Sequence, residues 1–159
     1  MIYDEIAMNN GVIFQHAYDI LNAKMQQGIN AMVQGNTGTD GKAPLDAALF
    51  VPVVVNCSFA CELFLKSMLP INTRGHKLDE LFLLLDSDIQ NNIKSNTVDE
   101  MKKVKSTYSD TDFQMDLTQN NKFAEWRYFH EGNSQSANLE FISRFMKSIF
   151  AVVNAERKK

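Results

Sequence analysis

Three short stretches of this chain place ionisable side chains where they could do chemistry. The first is Asn56-Cys57-Ser58-Phe59-Ala60-Cys61-Glu62-Leu63-Phe64-Leu65-Lys66. Glu62 precedes Lys66 by four residues, the favourable order for an ion pair on a helix. Their neighbours are Phe, Leu and Cys, on a helix that reads apolar nearly all round, and a carboxylate buried there needs partners. The second is Gly75-His76-Lys77-Leu78-Asp79-Glu80-Leu81. Gly75 allows a tight turn, and the His76 ring, standing just before a helix, is expected to bond a free backbone group at that end. The third is Phe123-Ala124-Glu125-Trp126-Arg127-Tyr128-Phe129-His130-Glu131. Phe123, Trp126, Arg127 and His130 recur at i, i+3, i+4 and i+7, so they share one helical face.

Two chemistries fit these residues. In one, an inward Arg127 meets an inward Glu62, because the guanidinium fork matches a carboxylate. Glu62, Lys66 and Arg127 then form a buried polar network, with Asn56, His76, Tyr128 and Glu131 as further polar members and His130 packed near Trp126. In the other, the same stretch supports metal-free RNA cleavage. His130 takes the proton of a 2′-hydroxyl and Arg127 stabilises charge on the phosphate.

Other motifs stop short. Residues Asn36 to Ala43 approach a phosphate-binding loop, but Asn36 stands where Gly is required and Ala43 where Ser or Thr is required. A helix, not a strand, is predicted ahead of it. Asp86-Ser87-Asp88 opens like a calcium loop, yet its sixth position is Asn91 and its twelfth Thr97. His16, His76 and His130 are scattered without ligand spacing, so neither a metal nor another cofactor is expected. No Gly-x-Ser-x-Gly elbow is present, and no His lies close in sequence to Cys57 or Cys61. The two cysteines read as small buried thiols on one side of a helix.

Bulk properties bound the class. The chain has 159 residues, 45% hydrophobic and 22% charged, the make-up of one globular domain. The net charge of -3 and the pI of about 5.6 argue against a protein that coats a nucleic-acid backbone. Met1-Ile2-Tyr3-Asp4-Glu5 is acidic where a secretory signal is basic. The run from Ala47 to Val55 is far shorter than the ~18 apolar residues of a membrane span. The expectation is a soluble, cytoplasmic protein without membrane contact.

Helical periods position the three stretches. From Tyr3 to Gln34, the residues Ile6, Ile13, Ala17, Ile20, Leu21, Met25, Gly28 and Met32 recur at helical spacings and read as one packed face. Gly35 to Lys42 ends that helix, and residues 35–45 read as a mobile loop. Asp46 to Leu69 reads as a helix with Pro52 in its first turn and Pro70 as its stop. Leu78 to Leu85 is a short helix, and Asp88 to Ser106 a more polar one. Tyr108 to Asp116 reads as a loop, followed by a helix from Asn121 to Glu131 that Gly132 ends. Ser134 or Ser136 is expected to cap a last helix whose buried stripe is Ile142, Phe145, Met146, Ile149, Val152 and Val153. The sum is a single all-α domain over residues 1–159, an up-and-down bundle of five to six helices.

An Ala-Cys-Glu-x-x-x-Lys helix, then Gly-His-x-Leu opening a short helix, then Arg-Tyr on a later helix, resembles the HEPN family (higher eukaryotes and prokaryotes nucleotide-binding domain). The motifs span Asn56 to Glu131. The resemblance implies a helical bundle that dimerises, in a bacterial stress, toxin–antitoxin or defence system. Active members of that family are metal-independent ribonucleases with four to six residues between an Arg and a His. Inactive ones partner a nucleotidyltransferase or another protein. Here only Tyr128 and Phe129 separate Arg127 from His130, so the chain departs from the active pattern. The resemblance thus implies a non-catalytic interaction module and a homodimer, with a nucleotidyltransferase or an antitoxin as a further partner. An endoribonuclease and a nucleotide-binding accessory protein, its polar cluster receiving a phosphate of RNA or a nucleotide, are the alternatives. Phe50, Phe141 and Phe150, more aromatic surface than one bundle needs to bury, are the sequence support for the dimer.

Overall fold

The computed structural model describes residues 4–120 and 138–158. Their helices, in chain order, are α1 (Glu5–Val33), α2 (Ala43–Ala47), α3 (Phe50–Ser67), α4 (Leu78–Leu83), α5 (Ser87–Lys102), α6 (Asp110–Gln119) and α7 (Leu139–Glu156). No strand occurs among the described residues, and the architecture is an all-α bundle. The apolar α3 is its centre and packs against α1, α4 and α7, while α7 also carries α5. Cys57, Cys61, Phe64 and Leu65 of α3 meet the buried stripe of α7, in which Ile142, Phe145, Met146, Ile149, Val152 and Val153 are all buried as their spacing predicts. Phe113 stacks edge-on to both Phe141 and Phe145, with ring centroids 5.8 and 5.9 Å away. Each such ring removed from water contributes about 1.5–3 kcal/mol.

Asp4 starts α1 by accepting hydrogen bonds from the backbone of Ile6 and Ala7 on its Oδ1. The helix keeps its predicted length, but the face it buries is not the one its isoleucines mark. Ala7, Met8, Gly11, Tyr18, Met25 and Gly28 are buried, whereas Ile6, Ile13, Ile20 and Met32 are exposed. The two glycines explain the difference. A Cβ on Gly11 would stand 2.6 Å from the Phe64 ring, and one on Gly28 would stand 2.5 Å from the Ala47 backbone nitrogen. Helix α1 therefore comes closest to α3 and α2 where it carries only a hydrogen, and packs through Met8, Tyr18 and Met25 along the same face. A periodic apolar stripe does not distinguish that contact from its opposite.

Residues 35–42 turn through Gly35, Gly38 and Gly41, all at positive φ. Asn36 and Asp40 accept from the backbone of Gly38 and Lys42, and helix α2 already begins at Ala43, inside the stretch read as loop. Pro52 lies in the first turn of α3, where its missing N–H leaves no bond unmade. The stretch Tyr108 to Asp116, expected as a loop, is mostly the helix α6. Ser109 and Asp112 form a reciprocal capping box there, a Ser-x-x-Asp signal that the polar composition masked. The cap of α7 is Asn138, whose side chain accepts from the Phe141 backbone. Of the three phenylalanines, Phe141 is fully buried, and Phe50 and Phe150 pack against the core. They do not form a surplus surface; the large exposed apolar residues lie on α1 and elsewhere.

Candidate functional site

Glu62 is a buried carboxylate on the most apolar helix of the fold. Helix α3 holds it by packing its flanks, since Cys61, Phe64 and Leu65 are all buried against the core. The oxygen Oε1 accepts from the Lys66 ammonium at 2.8 Å, one turn along the same helix, as the spacing predicts. The same oxygen lies 2.9 Å from Nδ1 of His76. The ring was expected to serve a backbone group; a buried carboxylate claims it instead, because an ionised acceptor is the stronger partner. The other carboxylate oxygen, Oε2, is buried without a hydrogen-bond partner among the described residues.

The connection that carries His76 is built rather than slack. Asn72 and Gly75 adopt positive φ of 71° and 107°. The Thr73 backbone and hydroxyl both donate to the Pro70 carbonyl, at 3.0 and 2.6 Å. Beside it a cleft of about 290 Å³ runs between the start of α1 and the end of α3, lined by Ile6, Asn10, Leu63, Lys66, Asn72 and Thr73. Lys66 thus joins the buried carboxylate to an open cleft.

Asn56 is not part of this cluster. Its amide donates to the Pro52 carbonyl at 2.7 Å, and it lies six residues, about 9 Å of helix axis, from Glu62. Arg127, Tyr128, His130 and Glu131 lie outside the described residues. So do the helix expected from Asn121 to Glu131 and the capping serines Ser134 and Ser136. Cys57 and Cys61 are free, buried thiols, and burial pushes the Cys61 thiol well up.

Two features escaped the sequence reading. One is a ridge along α1, where Ile6, Ile13 and Ile20 recur every seven residues and are 75%, 62% and 56% exposed. Beside it, Val55, Phe59 and Leu63 of α3 are half-buried, and Phe14 touches Phe59 edge-on at 4.5 Å. The signal was in the sequence, but the stripe mixed two faces: Met25 and Gly28 are buried and Leu21 packs on the core, whereas Ile6, Ile13, Ile20 and Met32 stand out. The other is a groove of about 490 Å³ lined by Asn96, Asp99, Glu100, Arg144 and Lys147 of α5 and α7. Arg144 is committed there, to Glu140 at 2.7 Å and to Glu100 at 3.3 Å, so the groove has mixed charge and most of it is already neutralised. Among the described residues, the one stretch long and apolar enough to cross a membrane is Ala43–Ser67, which includes the central helix of the bundle.

Comparison with protein-family models, with curated proteins and with solved structures gave no match.

Proposed function

We infer that this chain is a HEPN-like interaction module that works without catalysis and pairs with a second copy of itself. The observation that carries the reading is the isoleucine ridge on α1. Three large apolar side chains at regular spacing, each more than half exposed, form a patch of the kind that marks a binding surface. A second copy suits this face because its centre is uncharged. Asn10, Ile13, Phe14 and Ala17 of α1 and Phe59 and Leu63 of α3 carry no formal charge. A two-fold axis through them therefore sets no like charges together. The standing ridge of α1 and the recessed stripe of α3 are also complementary, so two copies seat ridge in furrow.

The patch is about 20 Å long and two helices wide, which gives an interface near the lower edge of specific ones, roughly 1,000 Å² in total. The pairing is therefore reversible and concentration-dependent. The buried polar cluster of Glu62, Lys66 and His76 supports the HEPN-like part of the reading.

Sedimentation velocity from about 1 to 300 μM tests this. The expected result is a reversible monomer–dimer equilibrium in that range. Ile13→Arg and Ile20→Arg, both at exposed positions, abolish it with the circular dichroism unchanged, while Met115→Arg on α6 leaves it intact. A monomer throughout the range, or a dimer that survives both arginines, overturns the reading.

A further inference from the structure

The geometry points to an oxyanion site at the connection between α3 and α4, where the outer edge of His76 and the Arg74 guanidinium bind a phosphate monoester, and Glu62 is the positioning residue for the imidazole. This site does not depend on self-pairing or on the family resemblance.

Three observations converge. First, a carboxylate at the centre of an apolar helix is costly, and its two partners, Lys66 and His76, both bind the same oxygen. A carboxylate so placed fixes the ring: Nδ1 donates to Glu62, and Nε2 becomes the outward edge. The His76 side chain is 58% exposed, and Nε2 has no hydrogen-bond partner among the described residues. An imidazole oriented from behind and open in front is arranged for a ligand. A histidine that merely fills space buries its ring.

Second, the ion pairs at this connection leave one cation over. Lys66 is matched by Glu62, and Lys77 by Glu80 at 2.8 Å. Arg74 is exposed and has no carboxylate partner among the described residues. It sits two residues before His76 on the same connection, and in the proposed site the two heads share one tetrahedral anion. In the imidazolium form both ring nitrogens donate, one to Glu62 and the other to the phosphate, and the guanidinium supplies a second pair of donors.

Third, the backbone between them is held. The left-handed turns at Asn72 and Gly75 and the double hydrogen bond from Thr73 to Pro70 set Arg74 and His76 on a connection with a defined path. Preorganised donors lose less freedom when they bind.

Nuclear magnetic resonance of the histidine rings tests the site, with inorganic phosphate and a nucleoside 5′-monophosphate titrated separately. The expected result is a saturable shift of the His76 ring, at about 1 mM ligand or below, with no comparable shift of His16 on α1. Arg74→Ala and His76→Gln, both at exposed positions, weaken binding about tenfold or more while the fold is retained. Glu62→Gln weakens it too and, unlike a purely structural change, converts the single Nδ1–H tautomer of His76 into a mixture visible in ¹⁵N spectra. A nucleotide that binds about tenfold tighter than phosphate identifies a nucleotide site, and equal affinity identifies phosphate itself. No saturable shift, an equal shift at His16, or binding unchanged in the Arg74→Ala and His76→Gln proteins overturns the proposal.

Discussion

Glu62 and His76, on opposite sides of the Pro70–Gly75 connection, share a 2.9 Å contact between a buried carboxylate oxygen and an imidazole nitrogen. That contact, together with Lys66, is what lets α3 carry a charge through an apolar core.

The balance of that cluster is measurable. Lys66→Met leaves Glu62 buried with the imidazole alone and is expected to cost about 3 kcal/mol, because an uncompensated buried charge is the expensive state. Glu62→Leu combined with Lys66→Met removes both charges and is expected to recover most of that loss. Urea unfolding of the two proteins checks it. A double variant no more stable than the Lys66→Met single would contradict the account.

Alanine at Gly28 is expected to destabilise, although helix propensity alone favours it by about 1 kcal/mol. The new Cβ meets the Ala47 nitrogen at 2.5 Å and the Ala43 oxygen at 2.7 Å, backbone atoms that yield only if α2 moves. The expected net loss is about 1–3 kcal/mol. Gly11→Ala presses on the Phe64 ring instead, and a ring can tilt, so its loss is the smaller. A rise in melting temperature for Gly28→Ala would mean that α1 and α2 are not in this contact.

The start of α6 is expected to loosen in acid. The Ser109 hydroxyl, the Lys105 ammonium and the Ser109 backbone amide hold the Asp112 carboxyl down to about 2. A depressed carboxyl contributes stability that is present above its ordinary value near 4 and is lost as pH falls through the folded value. The protection of the Asp110–Phe113 amides, taken relative to their intrinsic exchange rates, should therefore fall between about pH 4 and 2. Ser109→Ala removes the hydroxyl bond, and its α6 amides should lose that protection at higher pH.

Alkali should act through Tyr18. Burial, with the Cys57 thiol and the carboxylates of Asp19 and Glu140 adding to it, raises its phenol to about 12, against a smaller opposing bond from Ser143. A raised phenol contributes stability that is complete below about 10 and is lost as pH rises through the folded value. Burial and Asp116, which accepts from the Tyr108 hydroxyl at 2.8 Å, push that phenol up as well. Absorbance at 295 nm should show both tyrosines ionising late and together with unfolding. All four phenols of the chain titrating near 10 in a folded protein would refute the burial of these two.

What the sequence disclosed depended on the kind of signal. The α7 stripe was legible because every apolar position in it packs against something, so period and burial coincide. The α1 stripe misled because the same period describes a face that packs and a face that stands out, and the deciding residues are glycines, which carry no hydropathy. Helix α6 was hidden by its Ser and Asp content, although a capping box is itself written in those residues. Within the site, Glu62 and Lys66 were readable because their contact is local, four residues along one helix. The partner of His76 was not, because it depends on how a connection folds back over α3. The role of Arg74 was likewise invisible, since only the spatial pairing of its neighbours leaves it over.

Arg157 reaches back to Glu5, its Nη2 2.7 Å from the carboxylate, so the last described helix finishes beside the beginning of the first. The order in which the helices are strung is then separable from the way they pack. A short linker across that junction, with new ends opened in the Gly35–Lys42 turn, should give a circular permutant that still assembles the same bundle. The scaffold would tolerate rewiring even close to the carboxylate at its heart, since the Asp4 amide beside that junction donates to the Ser67 carbonyl, five residues beyond Glu62.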